Sequence, residues 1–139
     1  GLHARAGSTG LLRLHGSIWR LRCWAECNGT DDWEDLTTPL APLPPRCPHC
    51  DGLARPAVVW FGEMLDLHIL AAARDACACD VFLSVGTSAF VHPAAGLVDE
   101  ARHRGALTAE INPDATPASG VVDIAIAAPA EEVLPRLLR

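Results

Sequence analysis

Residues 80–112 read "DVFLSVGTSAFVHPAAGLVDEARHRGALTAEIN". The opening DVFLSVG (80–86) is a short apolar run stopped by glycine, the pattern of a buried strand. PAAGLVDEARHRG (93–105) has a proline near its start and a glycine just past its end, which frames a helix. ALTAEIN (106–112) is apolar again and predicts a second strand. Strand, helix and strand in this order make a βαβ unit, and such units build a parallel sheet. The apolar runs are continuous rather than alternating, as expected for strands covered on both faces. The expected fold class is α/β.

The flanking segments extend this pattern. PAVVWFG (56–62) reads as another buried strand and LDLHILAAARDACA (65–78) as a helix. VVDIAIAA (121–128) predicts a further strand. AEEVLPRLLR (130–139) predicts a closing helix whose pattern Pro135 interrupts. Toward the N-terminus the texture changes. TTPLAPLPPRCP (37–48) holds five prolines in twelve residues. Proline lacks an amide donor and fixes φ, so an extended loop is expected there. Residues 23–52 therefore read as a small loop-rich module inserted into something larger.

A chain of 139 residues suits one domain with a single core, and half of its residues are hydrophobic. A net charge of −6 and a pI near 5.4 argue against a general nucleic-acid binder. No segment supplies the roughly 20 apolar residues that span a bilayer, so no membrane partner is expected. No signal-peptide pattern opens the chain. The six cysteines, 23, 27, 47, 50, 77 and 79, cluster in pairs. A secreted disulfide framework is one reading; the clustering favours metal in a reducing compartment, and a cytoplasmic location is expected.

Cys23-x₃-Cys27 and Cys47-x₂-Cys50 stand nineteen residues apart. Two close pairs joined by a long loop can converge four thiolates on one tetrahedral Zn²⁺. Free reduced thiols are the alternative, and His49, between the second pair, could replace a ligand. A four-cysteine site is closed to water, so the metal would be structural and the loop would need it to fold. Cys77 and Cys79, between a helix and a strand, read as small core hydrophobes.

In parallel α/β sheets ligands bind at the carboxyl ends of strands. Gly86 permits close backbone approach there, and Thr87 and Ser88 offer hydroxyls and amides to a phosphate or ribose. Asn112 ends the next strand and could bond a ribose or base, or simply make a turn. His15, followed by glycine, lies eight residues before Cys23. It is surplus to a filled zinc shell. A packed or solvated histidine and a catalytic one are both open at this point.

LHGSIWRLRC, the paired cysteines, RPAVVWFGEM, VGTSAFVHPAAG, EINPDATP and APAEEVLP occur here in this order. In order and spacing they resemble sirtuins, the NAD-dependent protein-lysine deacylases, over essentially the whole chain. VVWFGE is most similar to the bacterial and mitochondrial branch that includes desuccinylases. The resemblance implies a C-terminal half of a Rossmann-like sheet with an inserted zinc module. It divides the chain into a catalytic-histidine segment (1–22), the zinc module (23–55) and the C-terminal half of the NAD-binding domain (56–139).

By the same resemblance His15 is the general base. The acyl-lysine oxygen attacks the ribose carbon of NAD⁺ as nicotinamide leaves, and the histidine takes a proton from a ribose hydroxyl. Imidazole suits this because its ordinary pKa lies near neutrality. The products implied are nicotinamide, deacylated lysine and O-acyl-ADP-ribose. Cys23, Cys27, Cys47 and Cys50 match the zinc ligands. Gly86, Thr87, Ser88, Asn112, Pro113, Asp114 and Ala130 match NAD-binding positions. Val59, Phe61, Gly62, Glu63 and Val91 match positions that hold the acyl-lysine peptide, with backbone pairing explaining tolerance of many sequences.

The chain departs from the family pattern in its x₃ first cysteine pair and in APA for GPA at 128–130. It also lacks the Gly-Ala-Gly-Ile-Ser and Gln-Asn-Ile-Asp segments. A start without methionine fits a family member cut before Gly1, expected to turn over little alone. A zinc-stabilised peptide-binding module without catalysis is the second reading, and a mononucleotide-binding α/β domain of another kind the third.

Overall fold

Gly16 begins the first strand. Ile18, Trp19 and Leu21 in GSIWRLRC are β-branched, aromatic or apolar side chains that suit a pleated surface. In a computed structural model, which describes residues 1–27 and 32–137, this segment is β1 (Gly16–Cys23). It follows a single helical turn, α1 (Leu2–Arg5). β1 lies between β2 (Asp32–Glu34) and β3 (Ala54–Val58) and pairs antiparallel with both. The β1–β3 register runs Gly16↔Val58 and Ser17↔Ala57, then jumps to Leu21↔Pro56. Ile18, Trp19 and Arg20 thus form a bulge with no β3 partner. Among the described residues, 37–45 contain no helix or strand, as their prolines predict.

The remaining elements are α2 (Leu67–Ala76), β4 (Val81–Val85), α3 (Leu97–His103), β5 (Leu107–Ile111), β6 (Ile124–Ile126) and α4 (Ala130–Leu137). β4, β5 and β6 form a parallel sheet in that order, so the expected α/β class is observed. The chain divides into two compact units, Gly1–Asp66 and Leu67–Arg139. Each is described by itself.

Three predicted elements differ in their bounds and one in its burial, each for a local reason. The strand expected over 56–62 starts earlier and stops at Val58, and it joins the antiparallel sheet. Beyond it the chain turns through Gly62 at φ +88°, and Trp60 and Phe61 are exposed rather than buried. The helix expected over 93–105 opens as a 3₁₀ turn (Ala94–Gly96) before α3. The strand expected over 121–128 shortens to β6, because Val121 and Val122 turn back, both donating N–H to Ala118 O, and the ladder is reached only where Asp123 N–H donates to Thr108 O (3.1 Å). Continuous apolar runs do not mean cover on both faces for β4, whose Val81 and Leu83 are about half exposed at the sheet edge. Central β5 does have that cover, with every residue after Leu107 buried. Leu138 and Arg139 of the expected last helix lie outside the described residues.

The two units differ in how they are held. In the second, Cys77 and Ala101 are fully buried with Ala106, and Phe82, Leu97 and Cys79 pack against them. The Cys77 thiol donates to the carbonyls of Ala73 and Leu97 at 3.4 Å, and burial pushes it up from the usual thiol range. It serves as a core residue, as its sequence context predicts. In the first unit Leu21 is the one large aliphatic side chain buried among the described residues; its companions are Cys23, Cys47, Ala54 and Ala57. So small a core cannot by itself offset the ordering of about 60 residues.

Candidate active site and metal centre

The cysteines supply what that core lacks. Sγ atoms of Cys23, Cys27, Cys47 and Cys50 all lie within 4.8 Å of one another. Cys23 Sγ is 3.7 Å from Cys50 Sγ, and Cys27 Sγ is 3.6 Å from Cys47 Sγ. A disulfide needs about 2.05 Å. Four thiolates at the usual zinc–sulfur distance of about 2.3 Å stand about 3.8 Å apart at the corners of a tetrahedron. The observed edges fit that figure.

Two turns present the sulfurs. Glu26 at φ +50° and Asp51 at φ +58° adopt the left-handed conformation that folds each cysteine pair back on itself. Asp51 N–H donates to Cys47 O (2.9 Å), and Cys47 N–H donates to Gly52 O (2.8 Å). The amides of His49 and Gly52 point at Cys47 Sγ (3.5 Å) and Cys50 Sγ (3.4 Å). Those bonds favour thiolate. His49 therefore serves this cluster through its backbone, and its ring is not among the four clustered donors. The Cys27 amide holds the Cys23 thiol down at about 6, while its neighbour Cys50 pushes the Cys27 thiol up to about 12. Crowded sulfurs cannot all ionise without a cation among them, which is the chemistry of a metal donor set.

His15 sits in the turn that enters β1, exposed, and its ring makes no hydrogen bond among the described residues. Its backbone is fixed. Gly16 N–H donates to Arg13 O (3.1 Å), and Val59 N–H donates to His15 O (3.1 Å). The ladder thus sets His15 directly beside the start of the 59–63 segment. Gly16 is at φ +76°, and a Cβ there would stand 2.0 Å from Ala57 O, so no other residue fits this approach.

The 59–63 segment is closed on its inner side. The Arg55 guanidinium grips Glu63 through Nη1–Oε1 (2.5 Å) and Nη2–Oε2 (2.9 Å), and Nη2 also donates to Val58 O (2.8 Å). Trp60 N–H donates to Glu63 Oε2 (3.0 Å), and Glu63 N–H donates to Trp60 O (3.0 Å). Arg55 beside Glu63, seconded by the Trp60 amide, holds that carboxyl down at about 2. On the outer side Phe61 is 94% exposed and Gly62 is exposed too.

In the second unit the strand ends are tied together. Gly86 at φ +60° donates its N–H to Ile111 O (3.0 Å), and Asn112 N–H donates to Ile126 O (3.1 Å). Asn112 Nδ2 donates to Thr87 O (2.7 Å), and its Oδ1 accepts from Asp114 N–H (3.3 Å). Asn112 therefore joins the Gly-Thr-Ser turn to the Asn-Pro-Asp turn. Thr87, Ser88, Pro113 and Asp114 are exposed at the carboxyl ends of the parallel strands, Val91 is exposed in the loop that follows β4, and half-buried Ala130 opens α4.

Two supporting groups were not legible as such. Arg55 carries no signal that separates it from other arginines. Glu110 is buried, and accepts short bonds from the Thr116 and Ser119 hydroxyls. Its negative charge in an apolar strand is the one clue the sequence offers.

A family model described as the Sir2 family matches residues 1–93. An NAD-dependent protein deacylase of Aquifex aeolicus is 47% identical over 125 residues, covering 89% of this chain and 51% of that protein. NAD-dependent protein deacylase 1 of Archaeoglobus fulgidus is 43% identical over 139 residues, covering 99% and 56%. Among solved structures, a Sir2 homolog–NAD complex superimposes with a TM-score of 0.92 at 42% identity, over 99% of this chain and 53% of that one. A Sir2 structure with p53 peptide and NAD⁺ gives 0.86 at 26% identity, over 99% and 57%. The chain belongs to the Sir2 family. It spans about half the length of the curated relatives it matches. No helix among the described residues is long and apolar enough to cross a membrane.

Proposed function

We propose that the protein carrying these 139 residues is an NAD-dependent protein-lysine deacylase. It removes acyl groups such as acetyl or succinyl, giving nicotinamide and O-acyl-ADP-ribose. The observation that carries this reading is His15, in a Sir2-family chain, held by the β1–β3 ladder beside Val59 with its ring open to solvent. In this reading residues 1–22 carry the base, 23–55 form the zinc module and 56–139 belong to the NAD-binding domain.

Cys23, Cys27, Cys47 and Cys50 would hold structural zinc, closing the shell against water. Gly86, Thr87, Ser88, Asn112, Pro113, Asp114 and Ala130 would bind NAD⁺, which supplies an electrophilic ribose carbon when bound. Asn112 orients the Thr87 carbonyl. His15 accepts a proton from a ribose hydroxyl. Val59, Phe61 and Gly62 present backbone to an acyl-lysine peptide, with Val91 as a further contact. Free thiols in this number suit a reducing compartment, and we place the protein in the cytoplasm.

The test is nicotinamide release with acetyl- and succinyl-lysine peptides, for the parent protein and for His15→Ala. The variant should lose at least about 100-fold in turnover, with zinc content unchanged. Full turnover by the variant, or NAD⁺ consumption that ignores the acyl-lysine, would refute this assignment.

A further inference from the structure

Arg55 is an expensive residue to place where it is. Its side chain is only 11% exposed, and its Nε is buried without a hydrogen-bond partner. It faces Arg22 across the β1–β3 ladder, and Arg22 Nε is likewise buried and unpartnered. Two guanidinium groups on facing positions repel. Glu63 pairs directly with Arg55 alone of the two. The Arg55 guanidinium also lies 5.7 Å from the Trp24 ring and 5.9 Å from the Trp60 ring. Such contacts favour a cation with a delocalised plane. Trp24 follows the metal ligand Cys23, and its N–H donates to Leu53 O (2.9 Å).

The consequence is geometric. Both Glu63 oxygens are engaged, Oε1 by Arg55 Nη1 and Oε2 by Arg55 Nη2 and Trp60 N–H, while the side chain stays 34% exposed. The outer edge at Phe61 and Gly62 is left to a ligand. We infer that Arg55 and Glu63 are positioning residues: they clasp the 59–63 segment in the shape that receives peptide and do not themselves touch the substrate. Trp24 anchors this clasp to the cysteine cluster, so the metal module shapes the peptide-binding edge. The inference rests on the deacylase reading for its substrate.

Glu63→Gln and Arg55→Lys test it. Glutamine has one acceptor oxygen and one NH₂, so either orientation sets a donor against a donor of the clasp: against Arg55 Nη1, or against Trp60 N–H and Arg55 Nη2. Lysine keeps the charge but loses the fork. With metal content unchanged, each variant should exchange the Trp60 amide about tenfold faster and raise peptide KM about tenfold, the worth of one charge-assisted bond. KM for NAD⁺ should stay within about twofold, and kcat should change less than peptide KM. Faster exchange with unchanged peptide KM would make the clasp merely structural and overturn the inference. Raised peptide KM with unchanged exchange would mean direct contact with substrate, and would overturn it too. If the parent protein shows no acyl-lysine dependence, the deacylase reading falls and Trp60 exchange alone judges the clasp. Unchanged protection in Glu63→Gln then ends it.

Discussion

Gly16 shows how one missing atom places a neighbouring histidine. At φ +76° an alanine would be strained, and its Cβ would meet the Ala57 carbonyl at 2.0 Å. We expect Gly16→Ala to destabilise the protein by at least about 2 kcal/mol, read from the urea midpoint, and to lose the Val59–His15 bond, read from Val59 amide exchange. The His-Gly pair is visible in the sequence, but the reason for the glycine is not. It depends on a carbonyl forty-one positions along the chain. Arg55 is hidden for the same reason. All eleven basic residues of this chain are arginine, so composition cannot single out one. Only the fold reveals that this one is buried between two indoles.

Glycine marked the ends of β4 and α3 where the sequence reads them, but it misplaced β3, which ends at Val58 rather than at Gly62. β4, α3 and β5 fall almost where the apolar runs place them. β6 is short because Val121 and Val122 turn back onto Ala118 O; beside it Asp123 accepts from Thr108 N–H (2.8 Å) and Thr108 Oγ1 (2.9 Å). The Thr108 bonds, the backbone one first, hold the Asp123 carboxyl below the usual carboxylate range. A depressed carboxyl pKa contributes stability that is present above the unfolded value, about 3.9, and is lost as pH falls through the lower folded value. Acid titration of parent and Asp123→Asn should therefore diverge above pH 4 and converge below it. Curves that stay parallel throughout would show that the Asp123 carboxylate contributes nothing. Buried Glu110 gathers the Thr116 and Ser119 hydroxyls of the segment that follows the Asn-Pro-Asp turn. Glu110→Ala strands both hydroxyls. We expect a loss of about 1–3 kcal/mol in thermal unfolding.

Across the whole molecule the two units answer to different forces. Leu67–Arg139 buries an apolar cluster, whereas Gly1–Asp66 buries little beyond Leu21 and its cysteines. The sequence reading, one domain with a single core and a loop-rich module at 23–52, did not separate these two units. Nothing in EMLDLH marks the 66/67 boundary. All four tryptophans, 19, 24, 33 and 60, belong to the first unit, so indole emission reports on it alone. Chelation of the metal should red-shift that emission, while far-ultraviolet helix signal, which comes mostly from α2, α3 and α4, largely persists. Emission that ignores the chelator would show that the cysteines are not what orders this unit. The bulge at Ile18–Arg20 gives the unit a different property. Gly16 and Ser17 keep their β3 partners on one side of it, and Leu21 to Cys23 keep theirs on the other. The three residues between act as slack, a place where the chain can gain or lose a residue while histidine and cysteines stay moored to the same neighbour. Length variation among descendants of this sequence should collect there and be absent from residues 15–17.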